Sequence, residues 1–217
     1  MRALVYGAAG GLAQSLIREL LSAGWEVEAV SRREVAPSAG LAVHRIDGPY
    51  SDHVPRARPD AVFFPQALFV RKPLAETSDA EIEDSLSVGL TDIIRTVRNL
   101  LAADDKPRRR VDYAFIGSTS AYAGFAKTSV YCAVKHGLLG FVRALNDEYA
   151  NTGKRFWLFS MGTMDTDMGR LLTDQDPTSF LSPDGVARRI VSSLGAADNL
   201  FEPEVIMRRR SIRFREA

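Results

Sequence analysis

The chain has 217 residues, 46% of them hydrophobic, and its 28 basic and 27 acidic side chains leave a net charge of +1. This predicts one domain with a sizeable core, and the balanced charge excludes an electrostatic reason for a nucleic-acid or membrane partner. No apolar run approaches the roughly 18 residues of a membrane span, so we expect a soluble, cytoplasmic protein. The single cysteine, Cys132, excludes an internal disulfide. His44, His53 and His136 show no metal-ligand spacing, and we predict no metal site.

The N-terminal pattern is a strand, a glycine-rich turn and a helix. Residues 3–6 are β-prone, and residues 14–23 form a helical pattern after the turn. Glycines let the backbone approach a pyrophosphate, and a helix N-terminus offers it unpaired N–H groups and the positive end of a dipole. We therefore predict that this turn binds a dinucleotide through Gly7, Ala9, Gly10, Gly11 and Leu12.

The second predicted strand, residues 26–30, is followed by Ser31, Arg32 and Arg33. An acidic side chain at this position would bind the ribose 2′-hydroxyl of NAD, and none is present. Arginines suit the 2′-phosphate of NADP, which they hold by charge-assisted hydrogen bonds. The sequence therefore favours NADP over NAD, and the alternative interpretation is that the two arginines form a solvated turn.

The rest of the chain alternates between strand and helix patterns. We predict strands at residues 42–46, 61–64, 111–116 and 155–160, and helices at 76–103, 129–149 and 182–194. Thr77 or Ser78 is the expected N-cap of the first of these helices. The alternation predicts a single α/β domain, a Rossmann-like, doubly wound parallel sheet of six or seven strands between two layers of helices.

Ser118, Tyr131 and Lys135 are placed where a strand leads into a helix. Ser118 follows the strand at residues 111–116, and Tyr131 and Lys135, four residues apart, share one face of the helix at 129–149. A nearby lysine charge favours a phenolate and lowers a tyrosine pKa by roughly 1–3 units. Tyr131 would then act as a general acid or base, while Ser118 binds the oxygen that exchanges the proton. A tyrosine and a lysine at this spacing also occur by accident on amphipathic helices.

The spacing of these three residues resembles the active site of the short-chain dehydrogenase/reductase family. The glycine turn is similar to the family's, with Ala13 in place of the last glycine, and Gly162, Thr166 and Met168 match a later family motif. The resemblance implies that main-chain groups of this later segment bind the nicotinamide carboxamide. It assigns Gly162, Met164 and Thr166, together with Tyr131 and Lys135, to the cofactor site.

Further roles follow only from the resemblance. Asp47 would lie near the adenine, and Gln66 occupies the position where the family has an Asn-Ala-Gly motif. Ser87 would replace a mid-helix asparagine that orients a proton-relay water. Residues 165–182 resemble a mobile substrate lid. Apart from the resemblance, the five arginines of residues 207–217 are interpreted as a solvated edge, and the alternative is a segment that binds an anion or a partner.

The implied activity is NADP-dependent reduction of a small-molecule carbonyl, or the reverse oxidation of an alcohol. Two alternatives remain, a non-redox isomerase or dehydratase of the same fold and a protein that senses a dinucleotide without turnover. A homodimer or homotetramer is expected, because two helices carry more apolar residues than one sheet face needs: Leu86, Leu90, Ile93 and Val97 on one, and Leu138, Phe141 and Leu145 on the other.

Overall fold

The structure, a computed structural model, describes residues 1–53, 55, 57–104, 108–195 and 201–214. Its centre is one seven-stranded sheet in which all neighbouring strands are parallel. The strands are β1 (Arg2–Tyr6), β2 (Glu26–Ser31), β3 (Leu41–Arg45), β4 (Ala61–Phe64), β5 (Val111–Ile116), β6 (Lys154–Met161) and β7 (Glu204–Met207). Their order is β3-β2-β1-β4-β5-β6-β7, which confirms the predicted doubly wound α/β fold.

Helices cover both faces of this sheet. They are α1 (Gly11–Ser22), α2 (Asp79–Leu86), α3 (Asp92–Ala102), α4 (Ser129–Glu148), α5 (Asp167–Arg170) and α6 (Pro183–Leu194). α1 and α6 pack on one face and α3 and α4 on the other, so that each face has its own buried apolar cluster. The strand order reverses between β1 and β4, and in open α/β sheets ligands bind at such a point. Within the described residues, no helix is long and apolar enough to cross a membrane.

The helix predicted at residues 76–103 is two helices joined by a π-helical turn. α2 begins at Ser78, whose side chain forms a capping box with Glu81, and the turn Ser87–Thr91 precedes α3. Gly89 lies in this turn, where an added Cβ would come within 2.6 Å of Cγ1 of Val134 on α4. The close approach of the Val134 side chain therefore favours glycine at this position.

Two expectations need correction. β7, which lies at the edge of the sheet, was not among the strands that we placed, because it is short and half-exposed and lacks the continuous apolar run that marks the equally short β4. Most of the apolar residues expected at a subunit interface are buried in the core of the chain itself. Ile93, Val97, Leu138 and Leu145 are buried in the α3–α4 cluster, Leu90 and Phe141 are partly buried against it, and only Leu86 is exposed.

Candidate active site

Ser118, Tyr131 and Lys135 meet at the C-terminal end of β5. Ser118 is buried, its Oγ accepts a bond from the Ser120 amide at 3.1 Å, and its hydroxyl lies close enough to Tyr131 to lower the pKa of the phenol. Lys135 is also buried; its Nζ donates to the Ile116 carbonyl at 2.7 Å and lies 5.6 Å from the centre of the Tyr131 ring. The structure thus assembles the predicted serine, phenol and ammonium groups at one place.

Burial dominates the proton affinities of these groups. It raises the pKa of Tyr131 to about 12, although the hydrogen bond from Ser118 acts in the opposite direction. It also lowers the pKa of Lys135 to about 8, because the charged ammonium is removed from water. The expected net lowering of the Tyr131 pKa is therefore wrong for this structure, because burial outweighs the opposing effects. At neutral pH Tyr131 is a neutral phenol that can donate its proton.

The loop after β4 covers Tyr131 from outside. Phe69 packs edge-on against the tyrosine, with ring centres 5.0 Å apart and planes at 88°. Arg71 then forms a 2.8 Å ion pair with Asp174, which belongs to the segment that resembles a substrate lid. Phe69 is therefore an apolar neighbour of the phenol, and the Arg71–Asp174 ion pair joins its loop to the segment of residues 165–182.

The C-terminal region holds the other side of the same segment. The Asp176 amide donates to the Arg213 carbonyl at 2.8 Å, and the Arg209 guanidinium donates to Gln175 at 2.8 Å. Arg209 also lies over the Phe180 ring, 5.5 Å from its centre. The described part of the arginine-rich region, residues 207–214, is thus attached to residues 175–180 rather than being only a solvated edge.

The glycine turn has the geometry that a bound pyrophosphate requires. Gly7 has a φ of +62°, and a Cβ there would lie only 3.0 Å from that of Gln66, so glycine is needed for two reasons. α1 begins after Gly10 without a side-chain cap, which leaves its first N–H groups available to an anion. Leu12 and Ala13 are buried in the core, so that these two positions offer only main-chain atoms to a ligand. Ala13 accordingly preserves the close packing of helix on sheet.

Gln66 and Thr166 adjoin this turn from two other loops. Gln66 is buried, and neither its amide oxygen nor its amide nitrogen has a hydrogen-bond partner in the chain. A Cβ on Gly11 would lie 2.9 Å from Cγ2 of Thr166, whose hydroxyl caps α5. Because an orphaned buried amide is costly, the residues around the turn fit a bound group that carries polar atoms.

The other predicted cofactor residues lie after β6 and after β3. Gly162 and Met164 follow β6, where the Gly162 amide donates to the Met207 carbonyl at 3.0 Å and Met164 pairs with Leu181. Their segment faces the glycine turn through Thr166. Asp47 lies beyond β3, is exposed, and has no contact that assigns it a role.

Arg32 and Arg33, which follow β2, are exposed, and each contacts another part of the chain. Ser31 is buried and accepts a bond from the Arg33 amide at 3.1 Å, and Arg33 donates through Nη2 to the Ala9 carbonyl of the glycine turn at 3.2 Å. The Arg32 guanidinium stacks over the Tyr50 ring at 5.3 Å. Arg33 therefore lies next to the turn and Arg32 next to Tyr50, so each cation already has a partner within the chain.

Ser87 does not belong to this site. It lies at the start of the π-helical turn and is exposed, whereas Gly89, two residues on, is buried against α4. Residues two apart on a helix point to nearly opposite sides, so Ser87 faces away from Lys135. The residue that faces α4 has no side chain with which to hold a water. The π-helical turn changes which residues of this segment face α4, and no pattern in the sequence predicted the turn.

Comparison with known proteins identifies part of the chain. A family model described as short chain dehydrogenase matches residues 67–177, slightly more than half of the sequence. The chain is 30% identical over 109 residues to the 3-oxoacyl-(acyl-carrier-protein) reductase FabG of Salmonella typhimurium. It is 29% identical over 101 residues to a protein of Xanthobacter autotrophicus named inactive 2-(S)-hydroxypropyl-CoM dehydrogenase 2. These matches cover 50% and 46% of the chain and 44% of each relative, so the chain aligns with less than half of their length.

Solved structures resemble the fold over nearly the whole chain. A short-chain dehydrogenase/reductase from Vibrio parahaemolyticus superposes with a TM-score of 0.83 at 19% identity, covering 96% of this chain and 100% of that one. Serine dehydrogenase complexed with NADP+ superposes at 0.80 and 18% identity, covering 95% and 94% of the two chains. 4-Hydroxyisoleucine dehydrogenase complexed with NADH superposes at 0.83 and 16% identity, covering 96% of each. With the family match across residues 67–177, the chain belongs to the short-chain dehydrogenase family.

Proposed function

We propose that the protein is an NADP-dependent oxidoreductase that reduces the carbonyl group of a small molecule to an alcohol. The observation that carries the proposal is the placement of Tyr131 next to both the buried Ser118 and the buried Lys135. Tyr131 keeps its proton at neutral pH because burial raises its pKa. Reduction of a carbonyl requires a group that donates a proton to the carbonyl oxygen, and the protonated phenol can do so. The reverse reaction, alcohol oxidation, requires the same groups in the opposite protonation states.

Each side chain has one task in this proposal. Tyr131 donates its proton to the carbonyl oxygen, and Ser118 donates a hydrogen bond to the same oxygen and stabilises the charge that develops there. Lys135 places its ammonium next to the phenol and stabilises the phenolate that remains. The nicotinamide, when bound, supplies the hydride. Phe69 keeps water away from the phenol.

The cofactor would be held by the glycine turn and the loops around it. Gly7, Ala9, Gly10, Gly11 and Leu12 offer main-chain groups, Gln66 offers an unpaired amide, and Gly162, Met164 and Thr166 lie across from them. We assign NADP because Arg32 and Arg33 supply positive charge directly after β2, where an acidic side chain would be expected for NAD. The similar structures include both an NADP+ and an NADH complex, so the preference rests on these arginines.

A second candidate is a dinucleotide-binding protein without turnover. It is favoured by Gly89, because the helix that faces α4 offers no side chain to orient a relay water. One similar protein is named inactive. A non-redox isomerase or dehydratase that retains Tyr131 as its base is the third alternative, and it does not require an intact cofactor site.

One pair of measurements distinguishes these candidates. NADPH and NADH are titrated by nucleotide fluorescence, and NADPH consumption is then followed over a panel of aldehydes and ketones. Tight NADPH binding with consumption on at least one carbonyl supports the reductase. Binding without consumption across the panel supports the sensor, and absence of binding overturns both and leaves the non-redox enzyme.

Assembly and location remain expectations of the family resemblance. A cytoplasmic homodimer or homotetramer is proposed, although most of the apolar residues first used to argue it are buried within the chain. Light scattering at micromolar concentration measures the assembly directly. A monomer at that concentration would contradict the expectation.

A further inference from the structure

Glu28, His44 and His53 form a half-buried cluster away from the tyrosine site. His53 Nε2 lies 3.0 Å from Glu28 Oε1, and His44 Nε2 lies 3.3 Å from the same oxygen. The three side chains are only 14%, 16% and 8% exposed in that order. One donor atom from each residue lies within 4.8 Å of both others. This cluster has no part in the proposed oxidoreductase chemistry.

The fold, rather than the sequence spacing, brings these residues together. Glu28 pairs with Ala42 in the sheet, and His44 pairs with Val30, two residues beyond Glu28. Because side chains two residues apart on a strand share a face, Glu28 and His44 are diagonal neighbours on one face of the sheet.

His53 reaches the cluster from a separate, anchored segment. It follows the 3-10 turn Tyr50–Asp52, whose first two amides donate to the buried carboxylate of Asp92 at 2.8 and 3.0 Å. The fully buried ring of Tyr6 packs edge-on against His53, with ring centres 6.2 Å apart. Three separate parts of the chain therefore hold the three side chains in place before any ligand arrives.

The donor set is one that zinc prefers. Zn²⁺ binds imidazole nitrogens and carboxylate oxygens at about 2.0–2.2 Å, so two donors of a tetrahedral centre lie about 3.3–3.5 Å apart. The separations of 3.0 and 3.3 Å need changes of only a few tenths of an ångström to reach that value. We propose that Glu28, His44 and His53 bind one Zn²⁺ ion, with a water molecule at the fourth position. The expectation of no metal site considered only the spacing of the histidines along the sequence. The pairing of β2 with β3 brings Glu28 and His44 together, which that spacing does not reveal.

The consequence of occupancy would be structural. The ion would join β2, the edge strand β3 and the segment that follows Tyr50, and Tyr50 stacks under Arg32. Binding to the folded state alone raises the free energy of unfolding in proportion to the logarithm of the ion concentration above Kd. Zinc should therefore raise the melting temperature of the whole chain, with no substrate or nucleotide present.

The test uses the full chain after treatment with a chelator. Zn²⁺ is titrated in competition with a chromophoric chelator, and Co²⁺ is titrated while its visible absorption is recorded. We expect one ion per chain, a tetrahedral Co²⁺ spectrum and a raised melting temperature. Glu28→Gln and His53→Ala should each weaken Zn²⁺ binding at least about tenfold, since even the loss of an outer-shell partner of a metal ligand weakens binding 10–100-fold.

His136→Ala is the matched control, because this histidine is exposed on α4 and is the third in the chain. It should bind zinc as the unmodified protein does. Circular dichroism of each metal-free variant verifies folding, and the Co²⁺ spectrum of the unmodified protein does not depend on any variant. Substoichiometric zinc, an octahedral Co²⁺ spectrum, or equal affinity in Glu28→Gln and the unmodified protein would overturn the proposal and leave an ordinary carboxylate that accepts two imidazole hydrogen bonds.

Discussion

The two parts of the sheet present functional side chains in different ways. Residues 67–177, which match the family model, hold Ser118 and Lys135 buried, with their bonds made inside the chain. Residues 1–66 fold into the strands expected of the same architecture, yet they carry Arg32, Arg33 and Asp47 on the surface. A buried group is fixed by packing and changes its pKa, whereas an exposed charge, even one with a partner in the chain, is screened by water and salt. Substitutions of the buried groups should therefore have larger effects than substitutions of the exposed ones.

The largest effect is expected from Tyr131→Phe. The change removes only the hydroxyl and keeps the ring that packs on Phe69, so kcat on a reduced carbonyl should fall about 10²–10⁴-fold with nearly unchanged NADPH affinity. Steady-state kinetics and a fluorescence titration measure the two quantities. Tyr149→Phe, just beyond the other end of α4, is the control. Full activity in Tyr131→Phe would remove the phenol from the mechanism.

The second effect concerns stability and pH. The folded state lowers the pKa of Lys135 from 10.5 to about 8, which corresponds to about 3 kcal/mol at 1.36 kcal/mol per unit. Between these values the unfolded chain binds the proton more tightly, so the free energy of unfolding should rise as pH increases from about 8 to 10.5. Below pH 8 both states are protonated, and the full cost of burying the charge is present.

Lys135→Met tests this, because it keeps the length of the side chain and removes the titration. The difference in free energy of unfolding, unmodified minus variant, should increase by about 3 kcal/mol across that window in urea denaturation. Exposed Lys127→Met should show no such trend. A pH-independent difference for Lys135→Met would mean that the ammonium is not desolvated in the folded chain.

A third, smaller effect is expected at the arginines after β2. NADPH should bind more tightly than NADH by about 1–3 kcal/mol if one charge-assisted contact to the 2′-phosphate is made. Arg32→Asp should reduce or reverse that difference, whereas Arg98→Asp, an equal charge change on α3, should not. Equal affinities of the unmodified protein for both nucleotides would contradict the NADP assignment.

The smallest effect is expected for Ser87→Ala. Its exposed hydroxyl should contribute less than about 0.5 kcal/mol to stability and nothing to kcat. Gly89→Ala is the informative partner, because its methyl group would meet the short, β-branched Val134 and destabilise the fold by about 1–3 kcal/mol. A loss of kcat in Ser87→Ala would restore the relay role that the structure removes.

What the sequence predicted well was local. The strand before Ser118 and the spacing of Tyr131 and Lys135 depend on short-range patterns, and the structure reproduces both. The glycine turn was also predictable from short-range pattern, because the turn requires a positive φ at Gly7 that glycine adopts readily.

What the sequence could not predict depends on packing and strand pairing. The π-helical turn displaced Ser87, and burial reversed the expected direction of the Tyr131 pKa change. The meeting of Glu28 with His44 arises only when β2 and β3 pair, and no spacing along the chain encodes it.

The attachment of residues 175–180 to the C-terminal region has a mechanical consequence. To swing outward, this segment must give up the Asp176–Arg213 backbone bond and the Arg209–Gln175 bond together, since both cross the same gap. The two segments are therefore held together at two points, and a displacement of residues 175–180 is coupled to one of residues 209–213. If residues 165–182 are the substrate lid that the family resemblance implies, a partner bound at residues 209–213 would change substrate access without touching Tyr131.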